Sequence, residues 1–217
     1  MSTELPLIVS RIDETPATLR ARFHEWGYLY FKHYVSKEKC KTLLGDFMAV
    51  LAPHIALDNA AGVPVLQGEP FAETEPLWDE LYPKMQALES FHSFFHDPHM
   101  LALMQTVQGK DVFVYPMKMA RISTPGKLGY ETPAHQDARS HFAGETMAGI
   151  WVALQDIPAE LGRLQILPKS HTLGVRKVVP AIGVGNVQCE ILPEEDTWHV
   201  SDVEQGDVII FNSCTRL

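Results

Sequence analysis

The sequence predicts a mixed fold, mainly β with flanking helices (α+β), in which N-terminal helices pack outside an antiparallel barrel or jelly roll. Apolar residues recur at helical spacing up to Gly109, and after Gly109 they form short runs separated by Gly, Pro, Asp and Asn. A length of 217 residues with 46% hydrophobic residues suits one domain with its own core. We therefore expect a single domain over 1–217, mostly helical at 1–109 and with a β core at 110–217.

Charge and cysteine content exclude several classes of protein. The formal net charge is −9 and no run of Lys or Arg exceeds two residues, so we expect no nucleic-acid partner. The three cysteines are widely spaced and form no C-x-x-C pair, which argues against a disulfide framework or a structural zinc site. No apolar stretch reaches about 18 residues, and the N-terminus lacks a signal-peptide pattern. We expect a cytoplasmic protein without a membrane partner.

The first two helices and the strand between them have clear local signals. Thr15, followed by proline, predicts the start of a helix that Gly27 ends. Residues 27–32 then predict a short strand. Ser36 is a suitable N-cap for a second helix with one apolar face, and Pro53 ends that helix.

The next segment predicts a loop and two more helices. Residues 58–76 are rich in Gly, Pro and acidic residues without periodicity, which indicates a surface loop. Apolar residues in helical register predict a third helix over 77–96. Pro98 begins a shorter fourth helix that ends near Gly109.

The second half of the chain predicts strands. Short runs rich in apolar and β-branched residues, bounded by turn residues, are typical of strands in an antiparallel barrel or jelly roll. These runs cover 111–122, 134–142, 147–154, 164–167, 187–192 and 207–211.

The chemistry of the predicted site rests on His135 and Asp137. On a strand, residues two apart point to the same face, so the two side chains can share one ion. An imidazole and a carboxylate are two thirds of the facial triad that binds non-haem Fe(II). Alone, H-x-D is a common pattern, and the alternative interpretation is a solvated strand end.

Further motifs accompany the H-Q-D at 135–137. The chain reads W-V-A-L-Q-D at 151–156, G-R-L-Q-I-L-P-K-S-H at 162–171 and G-D-V-I-I-F at 206–211. In these motifs and their order the sequence resembles the phytanoyl-CoA dioxygenase family of Fe(II)- and 2-oxoglutarate-dependent oxygenases. The resemblance spans nearly the whole chain, because it also includes the predicted strand after the first helix.

The resemblance implies a fold, a site and two cofactors. The family fold is a double-stranded β-helix, in which His135 and Asp137 would be catalytic iron ligands at the mouth of the barrel. Met117, Lys118 and Trp151 match positions that border 2-oxoglutarate in relatives. The alternative for Met117 and Trp151 is a role as apolar filling of the barrel.

Other residues have weaker claims to a functional role. Arg139 and His141 would continue the strand face of the H-x-D pair, which makes them candidates for substrate contact. His92 and His96 stand at helical i and i+4 positions, as in zinc proteases, but Ser93 replaces the glutamate required there. A partly exposed helix end is the favoured interpretation of that pair.

The sequence departs from the family pattern near residue 217. Relatives have a second histidine a few residues after G-D-x-x-x-F, followed about ten residues later by an arginine that binds 2-oxoglutarate. When Thr215 is aligned with the S-x-T-x-H pattern usual in relatives, Leu217 stands at the position of the third iron ligand. Arg216 then comes too early in the chain to be the arginine that binds 2-oxoglutarate. We expect the β core to lack its C-terminal end, through truncation, an internal deletion or degeneration, and the site to bind iron weakly.

The resemblance implies a reaction. A small organic molecule would be hydroxylated while 2-oxoglutarate is decarboxylated to succinate. Asp137 favours hydroxylation over halogenation, because halogenating relatives have a small residue at that position. Two alternatives remain: a catalytically silent ligand-binding protein on the same fold, and a cupin-like isomerase or sugar-binding jelly roll. The identity of the substrate is not predicted.

Overall fold

The structure is a computed structural model that describes residues 2–54, 56–58, 65–67, 75–122, 131–140 and 146–217. The helices are α1 (Pro16–Trp26), α2 (Lys37–Leu51), α3 (Pro76–Gln86), α4 (Glu89–Phe95), α5 (Pro98–Gln108) and α6 (Asp137–Ser140). The strands are β1 (Thr3–Leu5), β2 (Tyr28–Phe31), β3 (Ala56–Asp58), β4 (Val65–Gln67), β5 (Ala148–Val152), β6 (Val178–Pro180), β7 (Val187–Cys189), β8 (Thr197–His199) and β9 (Val208–Asn212). Helix and strand are mixed, and in these ranges helices hold more residues than strands. The β part is therefore smaller than the prediction of a mainly β fold.

The ends of the first two helices follow their capping residues. The Thr15 side chain accepts a 3.2 Å hydrogen bond from the Thr18 N–H, and α1 ends at Gly27, whose φ is +79°. The Ser36 hydroxyl accepts from the Lys39 N–H at 3.3 Å and caps α2. Both helices and the strand between them are confirmed.

The predicted single helix over 77–96 is wrong, because the segment forms α3 and α4. Leu88 has an extended backbone between them, with φ −69° and ψ 123°. The break turns the chain so that Leu81 and Met85 of α3 and Phe91 of α4 all pack in one core cluster with α2. Apolar spacing alone cannot reveal such a break, because the same residues are buried on either side of it.

The β2, β9 and β5 strands form an antiparallel sheet, with β9 in the middle. Val208 and Ile210 of β9 face a core shared with α1 and α5. Ile209 and Phe211 face the opposite side, in a second cluster against which Trp151 of β5 packs. The sheet is buried on both faces, which explains the uninterrupted apolar run V-I-I-F in the sequence.

The other strand predictions had mixed outcomes. The strands predicted at 147–154 and 207–211 are confirmed by β5 and β9. Of the predicted strand at 187–192, only the first three residues form a strand, which is β7. The run at 164–167 makes isolated bridges. The strands predicted at 111–122 and 134–142 are absent from the described parts of those segments.

The segment 111–122 is held by side chains instead of a strand ladder. The Lys118 carbonyl accepts hydrogen bonds from the Tyr82 hydroxyl at 3.2 Å and the Gln86 amide at 2.5 Å. Both donors belong to α3, so the sequence pattern of a strand is overridden by contacts with a helix.

The predicted loop over 58–76 contains β4, which pairs with β3 in antiparallel register. Residues 59–64 and 68–74 lie outside the described residues. Within the described residues no helix has the length and apolar character needed to cross a membrane.

Candidate metal centre

The backbone around His135 lies between two neighbouring segments. The His135 N–H donates to the Leu217 carbonyl and the Leu217 N–H donates to the His135 carbonyl, both at 3.1 Å. On the other side the Cys189 N–H donates to the Ala134 carbonyl at 2.7 Å. The chain then turns into α6, whose first residue is Asp137. Asp137 therefore lies in a helical turn and not on the strand that the sequence predicted.

His135 and Asp137 nevertheless lie side by side. His135 Nε2 is 3.7 Å from Asp137 Oδ1, and both side chains are partly buried. Imidazole and carboxylate donors approach a small divalent ion to about 2.0–2.2 Å, so two donors of one ion are separated by at most roughly 4.4 Å. The separation observed here allows both side chains to bind the same ion.

The His135 ring is oriented for metal binding. Its Nδ1 lies 3.0 Å from the Pro133 carbonyl, and a carbonyl oxygen can only accept, so Nδ1 carries the hydrogen. The lone pair is then on Nε2, the nitrogen that faces Asp137. A carbonyl that fixes the tautomer in this way is a common partner of metal-binding histidines. Imidazole and carboxylate are donors that non-haem Fe(II) takes, so the pair fits that ion.

Leu217 is the neighbour of His135 across the backbone pair. Two residues that exchange both hydrogen bonds stand directly opposite, and their side chains project from the same face with Cβ atoms about 4.5–5.5 Å apart. Leu217 packs with Trp151 and Phe211 in the apolar cluster of the sheet. An aliphatic side chain offers no donor, and no group of three or more His, Cys, Asp or Glu within the described ranges could hold a metal ion.

Arg216 is directed into an ion pair. Its Nη1 lies 2.7 Å from Glu195 Oε2, and Glu195 Oε1 lies 2.6 Å from Arg176 Nη2. The Arg216 side chain is fully buried, and this burial lowers the pKa of its guanidinium. The sequence had placed Arg216 too early for the arginine that binds 2-oxoglutarate in relatives, and the ion pair gives it a structural role.

The predicted 2-oxoglutarate residues occupy different surroundings. Trp151 packs in the same cluster as Leu217, which in turn neighbours His135. Met117 is half exposed. The buried Lys118 amine lies 3.1 Å from His92 Nδ1, and its described contacts include neither His135 nor Asp137. Burial lowers the pKa of Lys118.

Of the two predicted substrate residues, the structure describes one. Arg139 is exposed on α6. The prediction that it shares a face with His135 and Asp137 required an extended strand, and the helical turn at 137–140 replaces that strand. His141 lies outside the described residues. On α4, both ring nitrogens of His92 have partners, the Gln86 carbonyl at 2.7 Å and the Lys118 amine, which disfavours a second metal site there.

No role for Gln136 is apparent from the sequence. If His135 and Asp137 point to one face of a strand, the residue between them points to the other face, which predicts a solvated side chain. Instead Gln136 is 1% exposed. The sequence shows only a polar amide between the two ligand candidates, and its burial depends on residues 174–189 and Cys214, which are distant in the chain.

The chain matches a known protein family over most of its length. The family model for phytanoyl-CoA dioxygenase (PhyH) matches residues 23–216. The chain belongs to this family.

Individual relatives match less of the chain or share only its fold. The phytanoyl-CoA dioxygenase domain-containing protein 1 of Rattus norvegicus is 31% identical over 111 residues, which are 50% of this chain and 38% of the rat protein. The matched region thus spans well under half of that relative.

Solved structures of similar fold include SnoN and EvdO2. The epimerase SnoN, in complex with Fe3+, alpha-ketoglutarate and nogalamycin RO, has a TM-score of 0.58 at 18% identity, covering 93% of this chain and 75% of SnoN. EvdO2 from Micromonospora carbonacea var. aurantiaca, complexed with 2-oxoglutarate, has a TM-score of 0.56 at 16% identity, covering 96% and 84%. At these identities the comparison establishes a shared fold.

The P-x-S-H motif of this phytanoyl-CoA dioxygenase family member has a structural role. The Ser170 hydroxyl donates to the Leu167 carbonyl at 2.7 Å and accepts from the Arg216 N–H at 2.9 Å. The motif therefore holds the backbone of Arg216, and Leu217 follows it directly opposite His135.

Proposed function

We propose that this chain is an Fe(II)- and 2-oxoglutarate-dependent oxygenase that hydroxylates a small organic molecule and converts 2-oxoglutarate to succinate. The observation that carries the proposal is the 3.7 Å separation of His135 Nε2 and Asp137 Oδ1, with Nδ1 already bound to the Pro133 carbonyl. The family membership supports it. The proposal includes a single domain over 1–217, a double-stranded β-helix with β2, β9 and β5 in one wall, and a cytoplasmic location.

Each residue near the pair has a distinct part in this proposal. His135 Nε2 and the Asp137 carboxylate would hold the iron, which together with 2-oxoglutarate supplies the oxidising chemistry. The Pro133 carbonyl keeps the His135 proton on Nδ1. Trp151 and its apolar cluster would exclude water from one side of the site. The carboxylate at Asp137 favours hydroxylation over halogenation, because it leaves no ligand position for a halide.

A catalytically silent, ligand-binding protein is the second candidate. Two observations favour it: Leu217 occupies the position opposite His135, and Arg216 is paired with Glu195. Leu217 supplies no ligand atom to an iron ion, and Arg216, which is held by Glu195, is not available as a bidentate partner for the far carboxylate of 2-oxoglutarate.

One set of measurements separates the two candidates. Fe(II) affinity is measured anaerobically, and succinate is then quantified after addition of 2-oxoglutarate, ascorbate and oxygen. The H135A and D137A variants test the pair, and H96A, which removes an exposed histidine of the α4 end, is the matched control. Iron-dependent succinate that H135A and D137A abolish and H96A retains supports the oxygenase. Iron binding without succinate supports the silent protein, and absence of iron binding contradicts the oxygenase and the metal site.

A further inference from the structure

The Gln136 side chain uses its full hydrogen-bonding capacity inside the protein. Its Nε2 donates to the Gly174 carbonyl at 3.0 Å and to the Cys214 carbonyl at 2.5 Å. Its Oε1 accepts from the Arg176 N–H at 2.8 Å, and Cys189 Sγ lies 3.9 Å from the same oxygen. Two carbonyls require the NH2 and an N–H requires the oxygen, so only one orientation of the amide satisfies these partners.

These partners belong to three segments that are distant in sequence. Gly174 and Arg176 precede β6, Cys189 ends β7, and Cys214 follows β9. The Gln136 amide therefore connects the segment of the H-x-D pair to all three. Each of these bonds is buried or partly buried, so loss of the amide would leave backbone groups without partners.

Little regular structure supports the pair otherwise. His135 has one backbone pair, with Leu217, and Asp137 begins a helix of a single turn. In a longer strand or helix the ladder of hydrogen bonds would fix both side-chain directions. A rotation of the backbone at residue 136 would therefore move the two side chains relative to one another.

We propose that Gln136 is a positioning residue for the metal-binding pair, whose buried amide sets the separation of His135 Nε2 and Asp137 Oδ1. The metal-binding part of this inference rests on the proposed function, and the geometric part does not. Groups that orient metal ligands typically change affinity by about 10–100-fold when they are removed. Gln136 acts through the backbone segment that it shares with the two ligands.

The test uses variants of similar size. Q136M keeps the volume and removes every hydrogen bond of the amide. Q136N keeps the amide but shortens its reach, and it serves as the second variant where Q136M does not fold. Y30F is the matched control, because it removes another buried hydrogen bond, from Tyr30 to Asp207, in which none of the partners of Gln136 takes part.

Two readouts distinguish positioning from a structural role. The first is the 15N spectrum of the His135 imidazole in metal-free protein, assigned with H135A, which reports the tautomer. The second is Co(II) affinity with the absorption spectrum of the bound ion. We expect the wild type and Y30F to retain the Nδ1–H tautomer. The Gln136 variants are expected to lose it and to bind Co(II) about 10–100-fold more weakly.

The outcomes are separable from those of the proposed function. A Gln136 variant with a lower melting temperature but an unchanged imidazole signal overturns the inference, whatever its metal affinity. A wild type that binds no Co(II) contradicts the proposed metal site, and the imidazole spectrum still tests Gln136. A shift of the His135 signal in Y30F as large as in Q136M also overturns it, because the effect would then be general destabilisation.

Discussion

The Tyr30 hydroxyl donates a 2.6 Å hydrogen bond to the Asp207 carboxylate, which joins β2 to the turn before β9. The same carboxylate accepts from the His33 N–H at 2.8 Å and the Glu204 N–H at 3.0 Å. A Cβ on the preceding Gly206, whose φ is +94°, would overlap the carbonyl of Val35. The G-D motif therefore closes the central sheet and takes no direct part in the candidate site.

Asp207 is expected to be one of the most sensitive positions for stability. D207A leaves three donors without their acceptor in a buried turn, so we expect a loss of about 3 kcal/mol in the free energy of unfolding. Y30F removes one donor, and a loss of about 1 kcal/mol is expected. Urea denaturation measures both. Equal losses for the two variants would contradict the shared role of the carboxylate.

Replacing Gly27 and Gly45 by alanine is expected to change the free energy of unfolding in opposite directions. Gly27 has φ +79°, and a Cβ there would overlap His171 Nδ1 and Thr215 Oγ1, so we expect G27A to lose about 2–4 kcal/mol. Gly45 lies inside α2 with nothing within 4 Å of a Cβ, so G45A is expected to gain about 0.4–1 kcal/mol. Thermal and urea unfolding measure the changes. A stabilising G27A would show that the turn at the end of α1 adapts.

Introducing a third ligand opposite His135 is expected to strengthen metal binding. Leu217 exchanges both backbone hydrogen bonds with His135, so L217H places a second imidazole on the same face. We expect Fe(II) affinity to rise by about tenfold or more, which anaerobic titration measures. L217A is the control for loss of the leucine, and an L217H affinity no greater than that of L217A would contradict the geometry.

Stability is expected to fall on mild acidification. Burial lowers the pKa of His199, whose Nδ1 lies 2.7 Å from the Tyr28 hydroxyl oxygen. Burial likewise lowers the pKa of His171. In the unfolded chain both histidines take up a proton near pH 6.5, whereas in the folded protein they do so only at lower pH. Their contribution to the free energy of unfolding is therefore complete above pH 6.5 and is lost as the pH falls below that value.

The melting temperature measured from pH 8 to pH 5 tests this effect. H199N keeps an acceptor near Tyr28 but cannot take up a proton, so its melting temperature is expected to depend less on pH than that of the wild type. Parallel profiles for the two proteins would show that His199 does not contribute to the decline.

The local parts of the fold were predictable from the sequence. Thr15 and Ser36 cap their helices, Gly27 ends α1, and the apolar run of β9 forms a buried strand, because capping and hydrophobic periodicity act over a few residues. The break at Leu88 and the absence of a strand at 111–122 were not predictable. Both depend on packing against other helices, which the periodicity of one segment does not encode.

By itself the sequence determined the ends of α1 and α2, the H-x-D pair and the family, because each depends on adjacent or regularly spaced residues. Only the tertiary structure decided that Asp137 begins a helical turn, that Leu217 is the neighbour of His135, and that Gln136 is buried. These features depend on hydrogen bonds between residues roughly 40 to 80 positions apart. Such partners become neighbours only when the whole chain has folded.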